Sequence, residues 1–239
     1  METYSRSLVL LPGLLCDGAG WSAQREALGH STHCTVADYG AAASIRDMAE
    51  RALSAVPQRF ALAGHSMGGR VALEMVRLAP ERVERIALLD TGIDPVAAGD
   101  AGATERAQRN ALLRLAQDQG MRVMGRQWAR RMVHPDRLDT PLFDTILDMI
   151  ERKTTAVFEV QIEALLGRPD ARSTFATLRI PTLLLCGRED AWSRLARHEQ
   201  MHALLPTSRL VVVEHSGHMT TMEQPEAVTA ALLVWLEAS

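Results

Sequence analysis

Aromatic residues are scarce in this chain of 239 residues, at 4% of the sequence. A core of this size must then be built from Leu, Val, Ala and Met. Charge of one sign is missing too, since the formal net charge is −3. Phosphate binding needs a concentrated excess of Lys and Arg, so no nucleic-acid partner is expected. Cysteine is sparse. Cys16, Cys34 and Cys186 are far apart, odd in number and without metal-ligand spacing, which reads as a reducing compartment, the cytoplasm. No apolar run approaches the roughly 18 residues of a membrane helix, so no membrane association is expected. The stretch Leu8–Cys16 could pass for a leader. It is short and broken by Pro12-Gly13, Glu2 stands where a basic region belongs, and Leu15 before the cysteine is not small.

What is present is an ordinary globular composition, 47% apolar and 23% charged. Six short apolar runs recur along the chain: Ser7–Leu11, Cys34–Ala37, Phe60–Gly64, Val83–Asp90, Thr182–Cys186 and Leu210–Glu214. Most are bounded by Gly, Pro or Asp, the pattern of buried parallel strands. Helical spacing lies between them at Trp21–Leu28, Ile45–Val56, Gly68–Leu78, Leu195–Leu204 and Pro225–Leu236. The alternation predicts an α/β fold, a doubly wound and mainly parallel sheet of about six strands. One stretch, 94–179, carries no strand pattern. Its stripes Met121, Met124, Trp128, Met132, then Phe143, Ile146, Leu147, Ile150, then Val157, Val160, Ile162, Leu165 are helical. The expected organisation is a core of residues 1–93 and 180–239 with 94–179 inserted as an all-helical lid.

The run Phe60-Ala61-Leu62-Ala63-Gly64-His65-Ser66-Met67-Gly68-Gly69-Arg70 reads as a strand, a Gly-x-Ser-x-Gly turn and a helix. The five-residue pattern alone recurs by chance in about one chain in ten of this length, so its context carries the signal. Between strand and helix, flanking glycines let backbone approach backbone and leave the serine Oγ exposed at a helix N-terminus. Ser66 is the candidate nucleophile, with the amide of Met67 placed to stabilise an oxyanion. A serine needs a general base, and the base needs an orienting acid. For this turn the chain order is Ser, Asp or Glu, then His. Asp190 follows the fifth run and His218 the sixth. Glu189 and Asp90 are the rival acids and His215 the rival base. The second oxyanion donor is expected from the loop after the first strand, at Leu14 with Leu15 next. Leu15, Trp21, Met124, Trp128 and Met219 are the candidate pocket residues.

These residues resemble the α/β-hydrolase superfamily over nearly the whole chain. The resemblance rests on Pro12-Gly13 with Trp21 downstream, Gly64-His65-Ser66-Met67-Gly68-Gly69, Gly187-Arg188-Glu189-Asp190 after a strand opened by Pro181, and Ser216-Gly217-His218 before Glu223-Gln224-Pro225. It implies a triad of Ser66, Asp190 and His218 and a helical cap between the family's sixth and seventh strands. Two departures stand out. Pro12-Gly13 replaces the usual His-Gly, and the chain starts almost at the family's third strand. Serine at position 66 disfavours the dehalogenase and epoxide hydrolase branches, which carry Asp there. The expected activity is hydrolysis of a small, mainly apolar carboxylic ester or lactone through an acyl-enzyme, with a small-molecule substrate, no metal and no cofactor. Carbon–carbon bond hydrolysis or lyase chemistry, and a ligand-sensing receptor with little turnover, stay open as alternatives. Oligomeric state also stays open.

Two further signals compete. His198-Glu199-Gln200-Met201-His202 matches a zinc-protease pattern, but it lies on a helix flanking the sheet with no third ligand, so solvated histidines are expected. Arg122, Arg126 and Arg130 fall one turn apart and read as a solvated face, with a carboxylate-binding wall as the sharper alternative. The run through Arg70 is similar to that of the menaquinone-pathway synthase of this superfamily, which handles a polyacidic substrate. Against a bulk positive field, 94–179 holds 13 basic and 12 acidic residues.

Overall fold

A computed structural model describes residues 6–238; Glu2, used above against a leader, lies outside the described residues. The strands are β1 (Ser7–Leu11), β2 (His33–Val36), β3 (Phe60–His65), β4 (Val83–Leu89), β5 (Thr182–Gly187) and β6 (Arg209–Val213). They form one sheet in the order β2-β1-β3-β4-β5-β6, with every neighbouring pair parallel. The expected six-stranded parallel sheet is therefore present. The edge strands β2 and β6 each begin one residue earlier than their apolar runs. An edge strand has one laddered neighbour, and pairing such as Ser7 with His33 and Leu183 with Arg209 sets its limits rather than side-chain polarity.

Period-two alternation splits the strand residues between two cores. Val9, Leu11, Leu62, Leu88 and Leu184 face one side; Leu8, Leu10, Ala63, Leu89, Leu183 and Leu185 face the other. Both sets are nearly free of solvent, which is why the strands read as continuous apolar runs. The second side is covered by α1 (Ser22–Leu28) and α11 (Pro225–Glu237), through Leu28, Val228, Leu232 and Trp235. The first is covered by α2 (Ile45–Ser54), α3 (Met67–Leu78) and α9 (Leu195–Leu204). A Ser44 side chain caps α2 by accepting from the Asp47 amide at 3.0 Å. Helix α3 is buried from Met67 through Val76, polar members included, because the sheet lies on one side and inserted helices on the other.

Between β4 and β5 the chain inserts α4 (Asp100–Gln119), α5 (Met121–Ala129), α6 (Pro141–Glu151), α7 (Thr155–Leu166) and α8 (Arg172–Ala176). Met121, Met124 and Met132 are buried as the first stripe requires, and so is the second stripe, Phe143 to Ile150. The third stripe is displaced. Phe158, Gln161, Ile162 and Leu165 are buried, while Val157 and Val160 are only partly so. One polar residue on the buried face, Gln161, disguised the true phase. The short helix α10 (Thr220–Glu223) follows β6.

The sheet order reverses direction between β1 and β3. In a parallel α/β sheet, the loops leaving the two strands at such a point diverge and open a crevice at the carboxyl edge. The loop after β1, carrying Pro12-Gly13-Leu14, and the turn after β3, carrying Ser66, face each other across it. The carboxyl ends of β4, β5 and β6 lie along the same edge.

Candidate active site

Ser66 joins β3 to α3 with φ 55° and ψ −115°, a left-handed conformation that costs a non-glycine residue free energy. The surrounding backbone enforces it. A Cβ on Gly68 would lie 2.0 Å from the Leu11 carbonyl oxygen, so only glycine lets α3 start against β1. A Cβ on Gly13 would meet the Ser66 Cβ at 3.2 Å, placing the loop after β1 directly beside the serine.

Three side chains from three strand ends converge here. His218 Nε2 is 2.8 Å from Ser66 Oγ, and His218 Nδ1 is 2.8 Å from Asp190 Oδ2. The other Asp190 oxygen accepts the amides of Trp192 and Ser193 at 2.7 and 2.9 Å. Burial alone would raise the Asp190 carboxyl. The adjacent His218 and the amide donors outweigh it and hold Asp190 below the ordinary carboxylate range. Burial likewise opposes protonation of His218, but the Asp190 carboxylate outweighs it and raises the imidazole above its usual value.

The rivals lie elsewhere. Asp90 accepts from Thr220 Oγ1 and from the Gly187 amide and makes no hydrogen bond to His218. Burial, reinforced by the charge of Asp190, pushes its carboxyl well above the usual range. Glu189 binds the Ser216 amide at 3.0 Å, and His215 packs edge-on against His134.

The peptide around His218 is held from several sides. The Glu223 Oε1 atom accepts the Gly217 and Met219 amides at 3.0 and 3.1 Å, bracketing His218. The His218 amide donates to the Met132 carbonyl, tying it to the segment after α5. His65 is pushed down to about 4, first by burial and then by His218, so it is neutral, and its Nε2–H donates to the His218 carbonyl at 2.7 Å.

The two oxyanion candidates after β1 separate cleanly. The Leu15 amide donates to Gln161 Oε1 of α7 at 2.9 Å, with Leu15 at φ 59°. The Leu14 amide has no hydrogen-bond partner among the described residues. The Met67 amide, at the first position of α3, lacks an intrahelical acceptor by position. Leu14 and Met67 thus leave two donors beside Ser66. Gln161 is nearly fully buried, so Gln161→Leu strands the Leu15 N–H. The expected loss is about 1–3 kcal/mol of stability. Urea unfolding reads it, and an unchanged midpoint would show that this bond contributes nothing.

A cavity of about 790 Å³ opens over Ser66 and His218, walled by the strand-end loops below and by α4, α5 and α7 above. Leu14, Met67 and Trp128 line it. Trp128 packs on Trp192 at 5.1 Å, and Trp192 on the His218 ring at 5.1 Å. The other expected pocket residues do not line it. Trp21 is buried in the opposite core with Leu8 and Leu10; Leu15, Met124 and Met219 are fully buried in the near core. Periodicity marks a residue as buried without saying which space it fills. Arg122 pairs with Asp148 and Glu151 on α6, and Arg126 and Arg130 are exposed, a solvent face as expected. His198 is fully buried rather than solvated, its Nε2 accepting the Thr91 amide at 3.3 Å, while His202 engages Ser208. Among the described residues no group of three or more His, Cys, Asp or Glu could hold a metal ion, and no helix is long and apolar enough to cross a membrane.

The strand order, the strained serine turn and the inserted helices define an α/β hydrolase. The chain belongs to the alpha/beta hydrolase family, whose profile matches residues 8–231. The chain is similar to the pimeloyl-[acyl-carrier protein] methyl ester esterase of Nitrosomonas europaea, 25% identical over 200 residues, 77% of this chain and 73% of that protein. Among solved structures it is similar to a thermophilic esterase from Thermogutta terrifontis, with a TM-score of 0.86 and 25% identity, covering 98% of this chain and 90% of that one. An enol-lactonase from Burkholderia xenovorans LB400 has the same fold, with a TM-score of 0.86 at 19% identity over 99% of this chain and 93% of that one.

Proposed function

We propose that the protein hydrolyses a carboxylic ester or lactone through an acyl-enzyme on Ser66. The observation that carries this is the unbroken relay Ser66 Oγ, His218 Nε2, His218 Nδ1, Asp190 Oδ2, with both links at 2.8 Å. His218 takes the proton as Oγ attacks the carbonyl, and Asp190 stabilises the imidazolium. The Met67 and Leu14 amides receive the oxyanion; one such donor is worth about 2.7–4 kcal/mol in the transition state. His218 then protonates the leaving alcohol, and water repeats the cycle to free the acid. The esterase relatives support this reading at the level of the bond cleaved.

Residues 94–179 act in this reading as the cap that selects the carbonyl, since α4, α5 and α7 wall the cavity. The free thiols Cys16, Cys34 and Cys186 fit a reducing compartment, the cytoplasm.

A fluorophosphonate probe tests the reading, because it phosphonylates only an activated serine. Stoichiometric labelling at Ser66, with release of p-nitrophenol from a short-chain p-nitrophenyl ester, is the expected result. Labelling without steady-state turnover would support the receptor alternative.

A further inference from the structure

One wall of the cavity carries charge that the reaction does not use. Five arginines line it, Arg70, Arg109, Arg131, Arg168 and Arg197, against the carboxyls of Glu105 and Asp90. Both Asp90 oxygens are already engaged, Oδ1 by the Gly187 amide and Oδ2 by Thr220 Oγ1. Glu105 is already shared: Arg168 grips both its oxygens at 2.8 Å, and Arg109 donates to one of them at 2.8 Å. One carboxylate thus answers two guanidinium groups.

Arg70 and Arg197 have no carboxylate within 4.0 Å among the described residues. Arg70 is only 9% exposed, and its side-chain partner is the neutral carbonyl of Asp94, which Arg168 also approaches at 3.3 Å. Arg70 and Arg197 crowd each other over Gly92. Arg70 Nη2 and Arg197 Nε each lie 3.2 Å from the point where a Gly92 Cβ would stand. Burial, then the charges of Arg168 and Arg197, depress the Arg70 guanidinium to about 9. Like charges held together out of water raise the energy of the empty site, and an anion bound among them relieves it.

We infer that Arg70 and Arg197, with Arg168 beside them, form a subsite for a carboxylate on the substrate, in the wall of the cavity that also holds Ser66 and His218. Planar guanidinium forks match the two oxygens of a carboxylate. Arg70 stands four residues beyond Ser66 on α3, about 6 Å along the helix. A carboxylate there lies a few bonds from a carbonyl at Ser66, and Leu112, Leu115 and Leu165 line the cavity with apolar side chains. The substrate class is therefore an ester or lactone whose carbonyl portion bears a terminal carboxylate on a short apolar chain.

This inference rests on the ester-hydrolase reading, so its test has two readouts. The first compares p-nitrophenyl pentanoate with mono-p-nitrophenyl glutarate, which has the same chain length and adds a terminal carboxylate. The half-ester is expected to show the higher kcat/KM. Arg197→Met, at a half-buried position, is expected to lower the half-ester/neutral ratio about 10- to 100-fold, the worth of a hydrogen bond to a charged group. Arg70→Met should act in the same direction, and Arg197→Lys should restore part of the ratio. The second readout is the thermal midpoint with free glutarate, which needs no turnover. A rise in the wild type that Arg197→Met removes is expected.

A ratio at or below one in the wild type, or one unchanged by both methionine variants, overturns the subsite and leaves the hydrolase reading intact. Failure to cleave either ester while glutarate still stabilises the protein through Arg197 overturns the hydrolase reading and leaves the subsite. Stabilisation by inorganic phosphate with none by glutarate overturns the carboxylate assignment.

Discussion

Ser66→Ala is expected to lower kcat/KM for p-nitrophenyl pentanoate by about 10⁴- to 10⁶-fold, the scale seen when a serine nucleophile is removed from an intact relay. Alanine removes the attacking oxygen and one link from His218. It leaves the fold in place, because the strained φ of 55° is imposed by surroundings that do not involve Oγ: the Ser66 amide bonds to the Leu89 carbonyl at 2.8 Å, and the Ser66 carbonyl accepts from Thr91 Oγ1 at 2.7 Å. The variant should therefore unfold at nearly the wild-type urea concentration and lose fluorophosphonate labelling entirely. Some rate above background should persist, since the Leu14 and Met67 amides can still polarise a carbonyl for attack by water. Turnover within about tenfold of wild type would remove Ser66 from the chemistry.

How much of this was legible depends on the range of the interaction. Ser66, Asp190 and His218 could be placed together because each closes or follows an apolar run, and parallel strands bring those run ends to one edge whatever their separation in sequence. The phase of α7 was misread because Gln161 is polar yet buried, held by a bond to Leu15, 146 residues away. The oxyanion alternatives could be separated only by that same long-range bond. Glu223, which fixes both peptides around His218, had no signal beyond its place after the histidine turn. Of the arginines that suggest a carboxylate-binding wall in the sequence, Arg122, Arg126, Arg130 and Arg70, only Arg70 lines the cavity. The wall joins Arg70 of α3 to Arg197 of α9 and Arg168 of the segment after α7, and no local spacing reports such a convergence. A neutral tally of charges over 94–179 missed it for the same reason, since two of its three members lie outside that stretch.

Asp190→Asn is the second large expected effect, about 10⁴-fold in kcat, and its cause is the tautomer of His218. The Trp192 and Ser193 amides donate to one side-chain oxygen of residue 190, so an asparagine keeps its carbonyl there and turns its NH₂ toward His218 Nδ1. Nδ1 must then accept, Nε2 carries the proton, and the imidazole cannot take one from Ser66. The pH profile supplies a readout that misfolding would not. In the proposed reaction the base form of His218 is the active one, so wild-type kcat/KM should fall as pH drops through a pKa raised above the ordinary histidine value by Asp190. Without that carboxylate, burial dominates, and the residual activity should persist to lower pH than in the wild type. Asp90→Asn is the control for the rival acid. Asp90 is bonded to Thr220 and Gly187 rather than to His218, and its charge raises His218 less than Asp190 does, so its loss should move the acid limb less than the loss of Asp190. A profile from about pH 5 to 9 for the three proteins decides between the acids. An acid limb that moves with Asp90→Asn and stays fixed with Asp190→Asn would transfer the role to Asp90.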